Sequence, residues 1–279
     1  MPGSGTNLKK KAAPRSPLRY PGGKQRAIKV IAKYFPKKAR EYREPMVGGG
    51  SVYFHLRNRG FAEKYWINDK FLDLVDFWRA CQVQESCENL QKDLFALRAS
   101  LGDSASMREF FMEVKDRTEE DPFRRALLFF FFNRVTFSGT TRAGGFSSQA
   151  SVERFTESSI KRLGQMPEAL RETRISNLDV EEVLTAPGED VFVFLDPPYY
   201  QAGKLYGRGG SLHEFDHEKL AFTLKRSNHR FLITYDDCEP IRSLYPWAKL
   251  ESWDLQYGMN NCSRDRTSKV GKELLVYNY

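Results

Sequence analysis

The chain has 279 residues, of which 41% are apolar and 14% aromatic, enough for one full α/β domain and a smaller unit. Its 21 Phe, 13 Tyr and 4 Trp exclude disorder as the main state. The longest apolar run, residues 126–132, stops at Asn133 and Arg134, well short of the roughly 20 residues a membrane span needs. The net charge is +8 and uneven: residues 71–121 hold 12 acids against 6 bases, and residues 122–174 hold 9 bases against 4 acids. A basic block in mid-chain suits a polyanionic partner.

Residues 1–15 carry Lys9, Lys10, Lys11 and Arg15 and no acid, and read as a basic, flexible arm without an apolar leader. An amphipathic helix is expected over residues 27–35, then a strand ending near Glu44, a Gly turn, a helix over 52–59 and a strand ending at Asp69. Residues 76–170 change character. Helices are expected over 87–101, 106–115 and 124–134, before a Gly/Ser/Thr-rich loop. Strands are then expected over 173–177, 191–195, 230–234, 249–255 and 273–278, with Asp216 capping a helix over 217–226. VFVFL is an unbroken apolar run, which suits a strand covered on both faces of a parallel sheet; the last two strands suit an antiparallel pair at the sheet edge. The simplest organisation is one α/β domain in two segments, 16–75 and 171–279, with a mostly helical insertion at 76–170. Cys81, Cys87, Cys238 and Cys262 show no paired spacing and read as thiols, without a disulfide frame or a zinc site.

Four short motifs stand at positions where open parallel sheets bind ligands, the carboxyl ends of strands. Asp196-Pro197-Pro198-Tyr199 follows VFVFL directly. The prolines stiffen the backbone and donate nothing, so a carboxylate and a free carbonyl lie side by side and can both accept from one exocyclic amino group. The tyrosine ring can stack on a flat heterocycle. Glu44-Pro45-Met46-Val47-Gly48-Gly49-Gly50-Ser51 is a strand-to-helix turn whose glycines admit a ligand close to the backbone; it lacks the Lys-Ser/Thr of a phosphate loop. Asn68-Asp69 ends the next strand, where an acid can accept from ribose hydroxyls. Tyr20-Pro21-Gly22-Gly23-Lys24 precedes the first helix. Taken singly, each of the last three also suits an ordinary turn or cap.

Together and in this order, YPGGK, EPMVGGGS, IND and DPPY resemble the cofactor and catalytic motifs of the Dam-like (alpha-group) DNA N6-adenine methyltransferases, with Met46 where that family usually has Phe. The resemblance covers residues 17–75 and 173–279. The segment 133–146 (NRVTFSGTTRAGGF) more weakly resembles the family's DNA-contacting hairpin. It implies a seven-stranded Rossmann-like sheet, discontinuous in sequence, with residues 76–170 as a target-recognition domain. The implied cofactor is S-adenosyl-L-methionine, without a metal. Tyr20, Pro21, Gly22, Gly23 and Lys24 would line its methionine end, with Glu44, Pro45, Met46, Gly48, Gly50 and Ser51 as the floor. Asn68 and Asp69 would reach the ribose, and Asp179 would lie near the cofactor adenine. Asp196 would touch both cofactor and target.

The implied chemistry is in-line transfer of a methyl from the sulfonium to N6 of a flipped adenine in double-stranded DNA. Asp196 and the Pro197 carbonyl would draw the amine toward a tetrahedral shape, and Tyr199 would stack on the base. Arg142 would read a guanine edge and Phe137 would wedge between base steps. Arg124, Arg134, Arg264, Arg266 and Lys269 would meet phosphates, with Arg125, Arg154 and Lys161 as further candidates. Asn133 and Ser138 complete the expected DNA-binding set, and the loop at 256–271 is expected to settle on duplex DNA. Two alternatives stay open: a methyltransferase for another planar amino group (cytosine N4 or RNA adenine), and a DNA-binding module without catalysis. HEFDH at 213–217 matches the zinc-protease spacing, but the Asp216 cap would set its histidines on opposite sides of a helix start, so zinc is not expected. The protein is expected to be a cytoplasmic monomer on DNA, as in restriction-modification systems, with GATC the first site to test.

Overall fold

The computed structural model describes residues 13–200, 215–256 and 270–279. Seven strands form one sheet: β1 (Ala39–Glu44), β2 (Ala62–Asn68), β3 (Thr173–Ser176), β4 (Val191–Leu195), β5 (Arg230–Asp236), β6 (Lys249–Gln256) and β7 (Val270–Tyr277). Their order is β3-β2-β1-β4-β5-β7-β6. The first five are mutually parallel, and β7 runs antiparallel between β5 and β6. This is a Rossmann-like α/β sheet, and the order reverses between β1 and β4, the switch point where such sheets bind ligands.

The strand at that point is β4, and all five of its residues are buried. Its side chains alternate between two cores, as a period of two requires. Phe192 and Phe194 face a large core with Tyr42, Ile67, Leu232 and Leu275. Val191, Val193 and Leu195 face a second with Phe231, Ile233, Leu274 and Val276. The second core is closed by α10 (Val180–Thr185), α11 (His217–Arg226) and α12 (Glu239–Leu244). Asp216 caps α11, accepting from the Lys219 amide at 2.8 Å.

The first face carries α1 (Ile28–Ile31), α2 (Ser51–Arg57) and α3 (Leu72–Gln82), followed by the helical insertion. The insertion comprises α4 (Gln84–Leu101), α5 (Ser104–Val114), α6 (Pro122–Val135), α7 (Ser148–Arg154), α8 (Glu157–Lys161) and α9 (Met166–Leu170). It has no separate core: Phe77 of α3 stacks on Phe130 of α6 with centroids 5.8 Å apart, and these residues belong to the same cluster as Phe192. The acidic and basic halves of the insertion meet here too. Arg125 on α6 is bonded through Nε and Nη2 to the Asp76 carboxylate of α3, both at 2.7 Å, and through Nη1 to the Glu119 and Glu120 carbonyls.

Two expectations change in detail. The helix expected over 27–35 shortens to α1 and a 3-10 turn, Ala32–Tyr34. Pro36 forces Phe35 into an extended conformation (ψ 142°), which ends the helix. The segment at 133–146 is not a two-stranded hairpin; it folds back through 3-10 turns Phe137–Gly139 and Thr141–Ala143, closed by one bridge between Thr136 and Phe146. Ser138, Gly139 and Thr141 have φ of 53°, 77° and 54°, and such left-handed residues break extended pairing. Residues 1–12, His213, Cys262, and the expected DNA contacts Arg264, Arg266 and Lys269 lie outside the described residues.

Asp76 is 4% exposed, and removing Arg125 leaves this buried charge only the longer, 3.6 Å pair with the half-exposed Arg79. Arg125→Ala should lower unfolding free energy by about 3 kcal/mol, measured by urea titration.

Candidate functional site

The carboxyl ends of β1, β2 and β4 bring three acids to one rim: Glu44 ends β1, Asp69 follows Asn68 at the end of β2, and Asp196 follows β4. The turn after β1 is tied to β2. The Val47 amide donates to the Asn68 carbonyl at 2.9 Å, and the Gly48 amide to Asp69 Oδ2 at 2.9 Å. The other Asp69 oxygen accepts from the Phe71 amide at 3.0 Å. The carboxylate is thus fixed by two backbone amides, and each oxygen keeps acceptor capacity for a hydroxyl.

Tyr20 lies flat on this turn. A Cβ at Gly48 or Gly49 would come within 2.8 or 2.7 Å of its side chain, so the glycines are required by the close approach. Burial, and then the charges of Asp69 and Asp196, push the Tyr20 phenol far above its usual range. The two acids therefore flank one ring.

Asn68 is 1% exposed, and its amide is used within the scaffold. It donates to the Pro45 and Leu178 carbonyls at 2.9 and 3.0 Å and accepts from Ser176 Oγ and the Leu178 amide at 2.7 and 2.8 Å. It locks the turns that carry Pro45, Met46 and Asp69. Asp179 caps α10, is 64% exposed and pairs with Lys70 at 2.5 Å. Glu44 is buried and accepts from the Tyr42 hydroxyl at 2.6 Å. Burial raises its pKa to about 8, with Asp196 and Asp69 adding to the rise and Tyr42 opposing it.

Asp196 is the hub. Thr234 of β5 donates to its Oδ1 at 2.8 Å, and Lys24 Nζ reaches Oδ1 and Oδ2 at 2.6 and 2.7 Å. Lys24 is 6% exposed, donates also to the Gly22 carbonyl at 3.0 Å, and stands 5.0 Å from the centroid of the Tyr199 ring. The ammonium thus fills the space between the Asp196 carboxylate and the face of Tyr199. The Tyr200 amide donates to Asp236 Oδ1 at 3.0 Å, and the Tyr199 hydroxyl donates to Glu273 Oε2. Pro197 and Pro198 supply the turn between these anchors. All four motifs therefore meet at one rim.

The insertion meets the same rim through Asn133. Its side chain is buried, accepts from the Arg19 amide at 3.2 Å, and donates to the Arg19 and Gly139 carbonyls at 2.6 and 3.3 Å. The segment at 133–146 is thereby fastened to the residue preceding Tyr20. Phe137 is 70% exposed beside it, next to Ser138 in its left-handed conformation. Arg142 is engaged inside the insertion: Nε meets Asp73 at 3.1 Å and Nη1 meets the Val114, Lys115 and Arg117 carbonyls. Arg125 is likewise engaged by Asp76, whereas Arg124 is 51% exposed near Glu119. Arg134 is the exception. It is 3% exposed, its Nε and Nη2 have no hydrogen-bond partner among the described residues, and its guanidinium lies 5.0 Å from the Phe130 ring. Burial, and then the charges of Arg162, Arg19 and Arg154, lower its pKa to about 9.

Sequence reasoning missed Tyr42, Thr234, Asp236 and Glu273. The first three were findable: Tyr42 is two residues before Glu44 on the same strand face, and Thr234 and Asp236 end the strand beside DPPY. The second histidine of HEFDH, His217, meets the Tyr235 hydroxyl through Nδ1 at 3.1 Å, as a packed helix-start residue.

Glu44 has a pH consequence. Its native pKa lies above the unfolded value, so between about pH 5 and pH 8 the native state binds the extra proton and stability falls as pH rises. Denaturation midpoints of the ligand-free protein should fall across this window and should flatten in Glu44→Gln, whose amide carries no proton to lose.

Residues 20–259 match the family model described as D12 class N6 adenine-specific DNA methyltransferase. The type II methyltransferase M.MjaIII of Methanocaldococcus jannaschii is 28% identical over 94% of this chain and 98% of its own. A DNA adenine methylase of Haemophilus influenzae is 25% identical over 97% and 96%. A DNA N-6-adenine-methyltransferase of Escherichia phage P1 is 28% identical over 83% of this chain, which matches only 31% of that longer protein. With the family model running from the Tyr20 that covers the glycine turn to beyond the end of β6, the chain belongs to the D12 class N6 adenine-specific DNA methyltransferases.

Proposed function

We propose that this protein transfers a methyl group from S-adenosyl-L-methionine to N6 of an adenine flipped out of double-stranded DNA, and that Asp196, Pro197 and Tyr199 hold the base. The observation that carries this reading is the Lys24 ammonium, an N–H donor already seated between the Asp196 carboxylate and the Tyr199 ring face. A planar amino group needs those same two partners.

The residues at the rim fit the cofactor. The Asp69 carboxylate is pre-set by two amides and retains acceptor capacity for ribose hydroxyls. The Tyr20 ring and the Gly48–Gly49 backbone form a flat, apolar wall at van der Waals distance. Lys24 is close enough to serve a carboxylate once it leaves Asp196. When bound, the cofactor supplies an electrophilic methyl on a sulfonium. Glu44 is protonated near neutral pH and so adds no further negative charge beside Asp196.

Adenine N6 is a poor nucleophile, because its lone pair is delocalised into the ring. Asp196 Oδ and the Pro197 carbonyl accept its two hydrogens and draw the nitrogen toward a tetrahedral shape. The same oxygens stabilise positive charge as it develops there; with the methyl–sulfur bond broken and S-adenosyl-L-homocysteine left as the neutral thioether, the surplus N6 proton would pass by way of Asp196 to solvent. Thr234 fixes the carboxylate rotamer, and Tyr199 fixes the plane of the base, so nitrogen is held in line for attack. For this, Lys24 must swing away as the base enters.

The insertion serves the duplex. Phe137 is an exposed ring beside the rim, suited to fill the gap left by a flipped base. The arginines around Arg134 suit a backbone phosphate, which would partner the Nε and Nη2 that have no hydrogen bond among the described residues. Arg142 would read a base only by leaving its carbonyl cluster. GATC remains the first recognition site to test, and action on DNA within the cytoplasm follows from the same reading.

Tritiated methyl transfer to unmethylated duplex DNA, single-stranded DNA, RNA and a no-substrate control tests the proposal. Duplex DNA should be labelled at N6 of adenine, and Asp196→Ala should lower kcat by about 100- to 1,000-fold. Label appearing only on RNA or on cytosine N4 would overturn it. For Arg134→Met, which keeps an apolar stem on Phe130, the fold should become more stable because an unpaired buried cation is removed. Duplex affinity should nevertheless fall about tenfold, and the slope of log affinity against log salt should shrink by about one. Equal salt slopes in wild type and variant would remove Arg134 from the DNA interface.

A further inference from the structure

We propose that Glu273, near the start of β7, is a positioning residue for Tyr199, holding the aromatic ring at the angle that receives the target base. The proposal rests on the function argued above.

Glu273 is 0% exposed and is followed on β7 by Leu274, Leu275 and Val276, all equally buried. A carboxylate in such company is costly to desolvate, so its place is informative. It stands in register with Asp236 on β5 and Trp253 on β6. Its Oε2 accepts from the Tyr199 hydroxyl at 2.5 Å. Tyr199 emerges beyond the end of β4, so its side chain crosses the end of β5 to reach β7. The ring is therefore fixed at both ends, by the DPPY backbone and by its hydroxyl.

The surrounding bonds make the purpose legible. Thr234 holds the Asp196 carboxylate, Asp236 holds the Tyr200 amide, and Glu273 holds the Tyr199 hydroxyl. Strands β5 and β7 thus brace the backbone, the acid and the ring of one short loop. In that pose the face of Tyr199 is turned to the Lys24 ammonium, which is itself bonded to Asp196. The ring and the carboxylate share one guest. A tyrosine untethered at its hydroxyl would keep its apolar bulk but would be free to turn about its side-chain bonds, and the base plane would lose its reference. This also explains a tyrosine where a phenylalanine would stack equally well: the hydroxyl gives the brace something to hold.

The test is a double-mutant cycle in kcat, using full-length protein, tritiated S-adenosyl-L-methionine and duplex DNA from a methylation-free host. The variants are Glu273→Ala, Glu273→Gln, Tyr199→Phe and the Tyr199→Phe/Glu273→Ala pair. Glu273→Ala should lower kcat by roughly 10- to 100-fold, with a much smaller change in KM for the cofactor. Glu273→Gln, whose amide oxygen still accepts from the hydroxyl, should recover most of that loss. The double variant should be no slower than Tyr199→Phe alone, because the brace has no hydroxyl to hold. If Glu273 only supports the fold, its loss multiplies that of Tyr199→Phe, and the proposal is overturned. An unrecovered Glu273→Gln overturns it as well. Absence of transfer to DNA by the wild type would instead overturn the proposed function, and the bracing role with it.

Discussion

An ionised carboxylate has to stand immediately beyond the most buried strand of the sheet, within range of two other acids. Asp196 leaves β4, whose five residues are all buried, and its charge is felt by both Glu44 and Tyr20. Three carboxylates at one low-dielectric rim are not compatible with three full negative charges. The structure resolves this in two ways. Burial keeps a proton on Glu44 near neutral pH, against the opposing pull of the Tyr42 hydroxyl. Asp196 takes the Lys24 ammonium as partner. On the proposed function, Lys24 is a counter-ion to be exchanged: a neutral amino group entering in its place would supply hydrogen bonds but no charge. The carboxylate would then be left with excess negative potential at the moment the nitrogen turned positive. Interactions that strengthen only in the transition state are those that raise a rate.

The same rim is tied to the insertion by backbone rather than by charge. Asn133 clasps the Arg19 amide and carbonyl and reaches Gly139, so the segment bearing Phe137 and the segment bearing Tyr20 move together. A Cβ at Gly139 would approach the Arg19 carbonyl to 2.2 Å, so the two chains are in contact and only glycine fits between them. On the proposed function, a duplex engaging the exposed Phe137 would therefore load the residue next to Tyr20. The shared core has the same effect on a larger scale, since Phe130 and Phe192 belong to one cluster.

Much of the sheet was legible because its signals are local. VFVFL marks a doubly covered strand, and β4 has the expected bounds. The motifs at strand ends were legible because a parallel sheet gathers carboxyl ends at one edge. The roles of single polar residues were not. Asn68 reads as a ligand contact next to Asp69, yet its amide is used by Pro45, Leu178 and Ser176. Glu273 lies in KELLVYNY, which periodicity presents as one more edge strand. Its importance depends on β7 inserting between β5 and β6, a non-local fact that no window of sequence contains.

The arginines of the insertion show the limit of charge counting. Arg125, Arg134 and Arg142 contribute equally to the basic block, and sequence cannot rank them. The fold gives Arg125 a buried carboxylate and Arg142 a set of helix-end carbonyls, so both are consumed in holding helices together. Arg134 has neither and faces three other arginines. A buried guanidinium in repulsive company lowers stability, and a core that only had to fold would do better with an apolar side chain of similar length. On the proposed function, a backbone phosphate would supply the anion that the described residues do not. The charges of the neighbouring arginines would set the sign of that partner. A residue whose burial costs the fold would thus be the one whose energetics the proposed polyanion completes.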